Sequence, residues 1–181
     1  FPGWTLPGVT GAGGLQALIK GGLPVAGERI VVAGSGPLLL ASAGTAKHNG
    51  AQVVRIAEQA ALGAVAAFAL QLPRWPHKLL QSFSLFDPRY RSGTRIIAAL
   101  GTDRLEGVRL QRGNSVEELE CDRLACGFGL IANVQLAQAL GCARGNNAVQ
   151  VDAWQATSVS GIYAAGECTG FGGSELALVE G

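Results

Sequence analysis

The spacing of apolar and polar positions changes along the chain, and each change marks an element. Glu28 to Ala33 ends in the unbroken apolar run Ile30-Val31-Val32-Ala33, which predicts a parallel strand covered on both faces. The glycine turn Gly34-Ser35-Gly36 follows, and a helix then runs to about His48, with Pro37 in its first turn, where a missing N–H does no harm. Lys47 and His48 complement the negative end of that helix, and Gly50 stops it. Gln52 to Ala57 is a second apolar strand, closed by Glu58. Ile30 to Glu58 therefore reads as a βαβ unit with a right-handed crossover. Upstream, Phe1 to Pro24 contains two Pro-Gly turns and a short amphipathic helix, Gly13 to Lys20, ended by Gly21-Gly22-Leu23-Pro24.

Downstream, the Ala- and Leu-rich stretch from Gln59 to Leu72 predicts a helix, broken by Pro73-Arg74-Trp75-Pro76, and His77 to Phe86 predicts another. The period then shortens. Thr94 to Leu100, Leu105 to Arg112 and Val116 to Cys121 read as three strands of a β-meander, separated by turn residues. After it come a strand at Leu124 to Gly127, a turn at Gly129 to Asn133 and a helix at Val134 to Leu140. Val149 to Asp152 is a short strand. Within Thr157 to Glu167, Gly161 to Gly166 reads as an apolar strand with Glu167 at its carboxyl end, and Gly172-Gly173 opens a helix, Ser174 to Glu180. Alternating strands and helices with one meander predict an α/β fold with a Rossmann-like nucleotide-binding domain.

Composition narrows the partners. The chain has 181 residues, 48% of them apolar and 15% charged, with a net charge of +1. That balance offers no basic patch for nucleic acid or an anionic membrane, so small molecules and other subunits are expected. No apolar run reaches the ~20 residues of a transmembrane helix, and nothing near Phe1 resembles a signal peptide, which predicts a cytoplasmic protein. The opening Phe-Pro-Gly-Trp reads as the middle of a domain, so a piece of a longer chain is expected. The four cysteines form no disulfide framework. Cys121 and Cys126 have the C-x4-C spacing of a redox dithiol, but on a single extended segment they would face opposite ways. No metal-ligand spacing occurs, and no side chain stands out as acid, base or nucleophile; His48 and His77 read as helix-end and surface residues. The catalytic residues remain unassigned.

The chemistry lies in the glycine turns. Where a strand runs through Gly34 and Gly36 into a helix, backbone N–H groups are left unpaired, and a pyrophosphate can sit on them. Glu58, at the tip of the next strand and twenty-four residues after Gly34, closes the same nucleotide site. Gly166, Glu167, Gly172 and Gly173 form a second cluster, an acid beside a helix start, suited to a polyol and a phosphate.

In order, the Gly34-Ser35-Gly36 turn, the meander, Gly129-Leu130-Ile131-Ala132-Asn133 and Gly161-Ile162-Tyr163-Ala164-Ala165-Gly166-Glu167 resemble the pyridine nucleotide-disulfide oxidoreductase flavoproteins. The opening Phe1 to Val9 and closing Gly166 to Gly173 resemble, more narrowly, the α-subunit group of opine oxidases, proline-type amino-acid dehydrogenases and hydrogen cyanide synthase. The resemblance implies an NAD(P)-type domain inserted into an FAD-binding domain. It implies the tail of a first FAD segment at residues 1–24, the NAD(P)-type domain at 25–115 and an incomplete second FAD segment at 116–181, with the first FAD-binding βαβ unit missing and weak FAD binding as the result. By the same resemblance, Gly34, Ser35, Gly36, Pro37 and Glu58 hold the dinucleotide, NAD in preference to NADP, with ATP or ADP as alternatives. Gly129, Gly166, Glu167, Gly172 and Gly173 face FAD. The implied function is oxidation of an amine, imino acid or opine-type amino acid within a hetero-oligomeric dehydrogenase. The alternatives are an NAD(P)H-dependent flavin disulfide reductase using Cys121 and Cys126, and a non-catalytic adenine-nucleotide-binding subunit. An iron-sulfur cluster, as in some relatives, would depend on residues beyond 181. Two departures bear on the site. Leu39 replaces the fingerprint's third glycine, which should push helix and strand apart, and Ala41 replaces an acid near the nicotinamide.

Overall fold

A computed structural model describes residues 1–70 and 87–181. The expected helix at His77 to Phe86, and the end of that at Gln59 to Leu72, lie outside the described residues.

The first compact unit, Phe1–Gly129, is built on the strand predicted at Glu28 to Ala33. That strand, β2 (Arg29–Gly34), lies inside a parallel sheet with β1 (Val9–Gly11), β3 (Gln52–Glu58), β4 (Tyr90–Arg91) and β8 (Arg123–Gly127), in the order β1-β8-β2-β3-β4. Helices α1 (Ala12–Lys20) and α2 (Leu38–His48) cover one face. The antiparallel meander β5 (Thr94–Leu100), β6 (Gly107–Arg112) and β7 (Ser115–Glu120) covers the other.

Because side chains alternate along a strand, β2 feeds two cores at once. Ile30 and Val32 pack with Leu15, Leu39, Ala43, Val53 and Ile56 on the helical side. Val31 and Ala33 pack with Ile96, Val108, Leu110, Cys121 and Leu124 on the meander side. This double burial is why β2 is apolar at successive positions. α2 ends at Asn49, and Gly50, with φ +84°, closes it as expected.

Leu39 does not hold helix and strand apart. It is fully buried, and the side-chain space it uses is opened by Gly127 on the neighbouring strand, where an added Cβ would lie 3.0 Å from Leu39 Cδ2. The glycine that permits close packing sits on β8 rather than on α2.

The compact units also divide elsewhere than at the segment boundaries 1–24, 25–115 and 116–181. β1 and β8 are strands of the same sheet as β2, and β7 completes the meander, so the whole of residues 1–129 forms one unit. Parallel pairing of Val9–Gly11 with Leu124–Cys126 joins the two ends of this unit.

The second unit, Leu130–Gly181, contains α4 (Gln135–Ala139), the small hairpin β9 (Arg144–Gly145) and β10 (Ala148–Val149), and α5 (Gly173–Glu180); α3 (Leu62–Ala69) belongs to the first unit. Its apolar interior among the described residues is small: Ala132, Cys142 and Val149. The expected strand at Gly161 to Gly166 is absent from the described strands. Tyr163 makes an isolated bridge to Ala156, and Thr157 and Ala164 N–H groups tie the segment to Ile162 and Gln155 as a tight loop. A strand needs a neighbour along its length, and this segment has one for a single residue.

Candidate functional site

In the ladder between β2 and β3, Gly34 lies opposite Glu58, which brings the end of the glycine turn beside the acid 24 residues later in sequence. Gly34 is held from both sides: Ser35 N–H donates to Gly127 O at 2.6 Å, and Gln59 N–H donates to Gly34 O at 2.7 Å. A Cβ at Gly34 would fall 1.9 Å from Gly127 O, at a φ of +149°, so no other residue fits. Gly36 differs. It has φ +95°, and no heavy atom lies within 4 Å of where its Cβ would be, so the turn opens onto free space at that point.

Glu58 is 2% exposed and accepts four hydrogen bonds. Oε1 accepts from Ser35 Oγ at 2.9 Å and Ala60 N–H at 2.8 Å. Oε2 accepts from Gly36 N–H at 2.8 Å and Tyr90 Oη at 3.2 Å. The expectation of unpaired amides at this turn is thereby corrected. Ser35 and Gly36 have given their N–H groups to Gly127 and Glu58, and Pro37 has none. The N–H of Leu38, first residue of α2, takes no acceptor among the described residues and is the free donor at this turn.

Tyr90 escaped the sequence reading. It stands on the edge strand β4, whose two residues pair with Ile56 and Ala57 and so reach the tip of β3. Burial, then the charge of Glu58 and the bond to it, raises the Tyr90 phenol far above its ordinary range, so the hydroxyl stays a donor.

In the second unit the same pattern recurs. Glu167 Oε1 accepts from the N–H of Gly173 at 3.0 Å, so this acid caps the helix start it was expected to share with a ligand. A Cβ at Gly172 would lie 2.0 Å from Leu176 Cδ2, so a side chain there would have to displace that exposed leucine. Gly166 donates its N–H at 2.8 Å to Glu180, which also accepts from Thr169 Oγ1 at 3.0 Å. Gly129, with φ +127°, ends the first unit and opens onto free space like Gly36. The ten residues singled out thus fall into two groups. Gly34, Ser35, Gly36, Pro37, Glu58 and Gly129 lie in the first unit, and Gly166, Glu167, Gly172 and Gly173 in the second.

The cysteines are placed otherwise than the sequence suggested. Cys121 lies in the corner between β7 and β8, not on one strand with Cys126, and both pack on the meander-side core. Burial pushes the Cys121 thiol up to about 12 and the Cys126 thiol up to about 11, and both are free. Neither is a thiolate at neutral pH.

The family described as pyridine nucleotide-disulphide oxidoreductase matches residues 6–180. The chain belongs to that family. Among curated relatives, the HcnB component of hydrogen cyanide synthase from Pseudomonas protegens is 32% identical over 200 residues, covering 100% of the chain and 43% of the relative. An opine oxidase subunit from Rhizobium meliloti is 32% identical over 196 residues, covering 99% of the chain and 43% of the relative. The chain thus spans less than half the length of these relatives. The fold is that of a thioredoxin reductase from T. acidophilum, with a TM-score of 0.61 at 18% identity, covering 92% of the chain and 50% of that structure. A ferredoxin reductase from Rhodopseudomonas palustris gives a TM-score of 0.58 at 25% identity, covering 93% of the chain and 40% of that structure. FAD and NAD(P)H are the cofactors of this oxidoreductase family. At the carboxyl ends of β2 and β3 the chain combines open space at Gly36, a free N–H at Leu38 and the buried carboxylate of Glu58. No helix among the described residues is long and apolar enough to cross a membrane.

Proposed function

We propose that the chain is the dinucleotide-binding part of a flavin-dependent oxidoreductase that works as a hetero-oligomer and oxidises an amine, imino acid or opine-type amino acid. The observation that carries this reading is the placing of a buried carboxylate, Glu58, against the Gly34–Gly36 turn at the carboxyl ends of β2 and β3. Ligands of open α/β sheets bind at such strand ends. The likeness to subunits of hydrogen cyanide synthase and opine oxidase supports the substrate class and the multi-subunit setting.

In this reading Leu38 N–H and the α2 dipole hold the pyrophosphate, and Glu58 accepts from the adenosine ribose. A buried anion there disfavours a 2′-phosphate, so NAD is preferred to NADP. Glu167, Gly166, Gly172 and Gly173 serve the flavin side. When bound, the cofactors supply the hydride and electron chemistry; the chain supplies position and charge. Calorimetric titration with NADH, NADPH, ATP and AMP tests this. NADH should bind at least about tenfold tighter than NADPH, the effect of one unfavourable charge contact. Equal binding of the two would remove Glu58 from the ribose role.

A second reading, a non-catalytic subunit holding an adenine nucleotide, is favoured by Ala41, which brings no polar group to the helix turn nearest the nicotinamide end. Equal affinity for AMP, ATP and NADH in the same titration selects it. The disulfide reductase reading finds no support in thiols whose burial keeps them protonated.

A further inference from the structure

We propose that the Tyr90 hydroxyl is a built-in competitor for the ribose seat on Glu58, and so sets how tightly the first unit holds an adenine nucleotide. The inference rests on the nucleotide-binding reading above. A carboxylate offers about four acceptor positions, and the four donors around Glu58 fill them. Two are backbone N–H groups, of Gly36 and Ala60, which fix the orientation of the carboxylate. The other two are hydroxyls, one on each oxygen, from Ser35 and Tyr90. That is the donor pair a ribose with free 2′ and 3′ hydroxyls presents.

A ribose at Glu58 must therefore displace protein hydroxyls. Ser35 is exposed on the turn, and its hydroxyl swings aside into water by rotation about a single bond. Tyr90 is half-buried on β4, 32 residues away in sequence, and its contact of 3.2 Å is the longest of the four. Its hydroxyl cannot leave without moving the ring or losing its acceptor, and that loss counts against the nucleotide. The contact also keeps the buried charge of Glu58 satisfied when no nucleotide is there, which a site with an empty ribose seat would otherwise leave short of a donor.

The test compares AMP with 2′,3′-dideoxy-AMP, by calorimetry, on the wild-type chain and on Tyr90→Phe. The variant keeps the ring and removes only the competing hydroxyl. AMP should bind Tyr90→Phe about tenfold tighter than wild type, as expected for one charge-assisted hydrogen bond no longer displaced. Dideoxy-AMP, which has no hydroxyls to contest the seat, should bind both proteins alike. If wild type prefers AMP to its dideoxy analogue but Tyr90→Phe brings no gain for AMP, the competitor role is overturned and the nucleotide reading stands. If the two ligands bind alike in both proteins, or neither protein binds AMP, the nucleotide reading falls and this inference with it.

Discussion

Asp87 is nearly as buried as Glu58, at 3% exposure, yet it belongs to the scaffold rather than to the site. It accepts from Lys47 in the last turn of α2 and from the N–H of Arg89, and so ties that helix end to the segment carrying Tyr90. Burial alone would raise its carboxyl, but the bond from Lys47, the Arg89 N–H and the two positive charges outweigh it and hold the group below its ordinary 3.8. In the unfolded chain Asp87 takes up its proton first. Its contribution is therefore complete above pH 3.8 and is lost as pH falls through the lower folded value. Asp87→Asn should cost about 1–3 kcal/mol at pH 7 and lose less stability than wild type as the medium is acidified through the carboxylate range, read from urea midpoints. Glu58 was legible in sequence because an acid closing an apolar run is a local pattern. Tyr90 and Asp87 were not, since one stands on an edge strand of two residues and the other just before it, and no local pattern announces that strand's pairing.

At the scale of elements, the fit between α2 and the sheet depends on Leu39 and Gly127 as a pair. Gly127→Ala would bring a Cβ within 3.0 Å of Leu39 Cδ2 and 3.3 Å of Ala12 Cβ, an overpacking expected to cost about 1–3 kcal/mol. Leu39→Ala, which empties a fully buried site, should cost about 2–5 kcal/mol. In the double variant the cost of Gly127→Ala should fall to what the contact with Ala12 leaves, and denaturant unfolding of the four proteins measures that coupling. β2, α2 and β3 were readable because each keeps one period over its length. β1, three residues long, was too short for any period to register, and its place in the sheet is set by β8, more than a hundred residues later. The misread strand at Gly161 to Gly166 failed for the opposite reason: the pattern was present, but the pairing partner was not.

For the whole molecule, both large cores draw every residue from within 1–129. Residues 1–129 expressed alone should unfold in one cooperative step and bind NADH within about threefold of the intact chain. Calorimetric titration and a urea transition followed by far-UV circular dichroism measure both. The α/β class and the glycine turns were visible in the sequence, whereas the pairing of β1 with β8 was not, because parallel neighbours along the sheet are far apart in sequence. The threading of β2 carries a last consequence. Since one strand supplies two separate interiors by strict turns, deleting a single residue between Gly27 and Arg29 would rotate Ile30 and Val32 into the space shaped for Val31 and Ala33, and reverse the exchange on the other side. Neither interior has slack for the swap. Length between the preceding turn and this strand is therefore as constrained as the identity of any side chain on it, and homologous chains should vary there by substitution and not by insertion or loss.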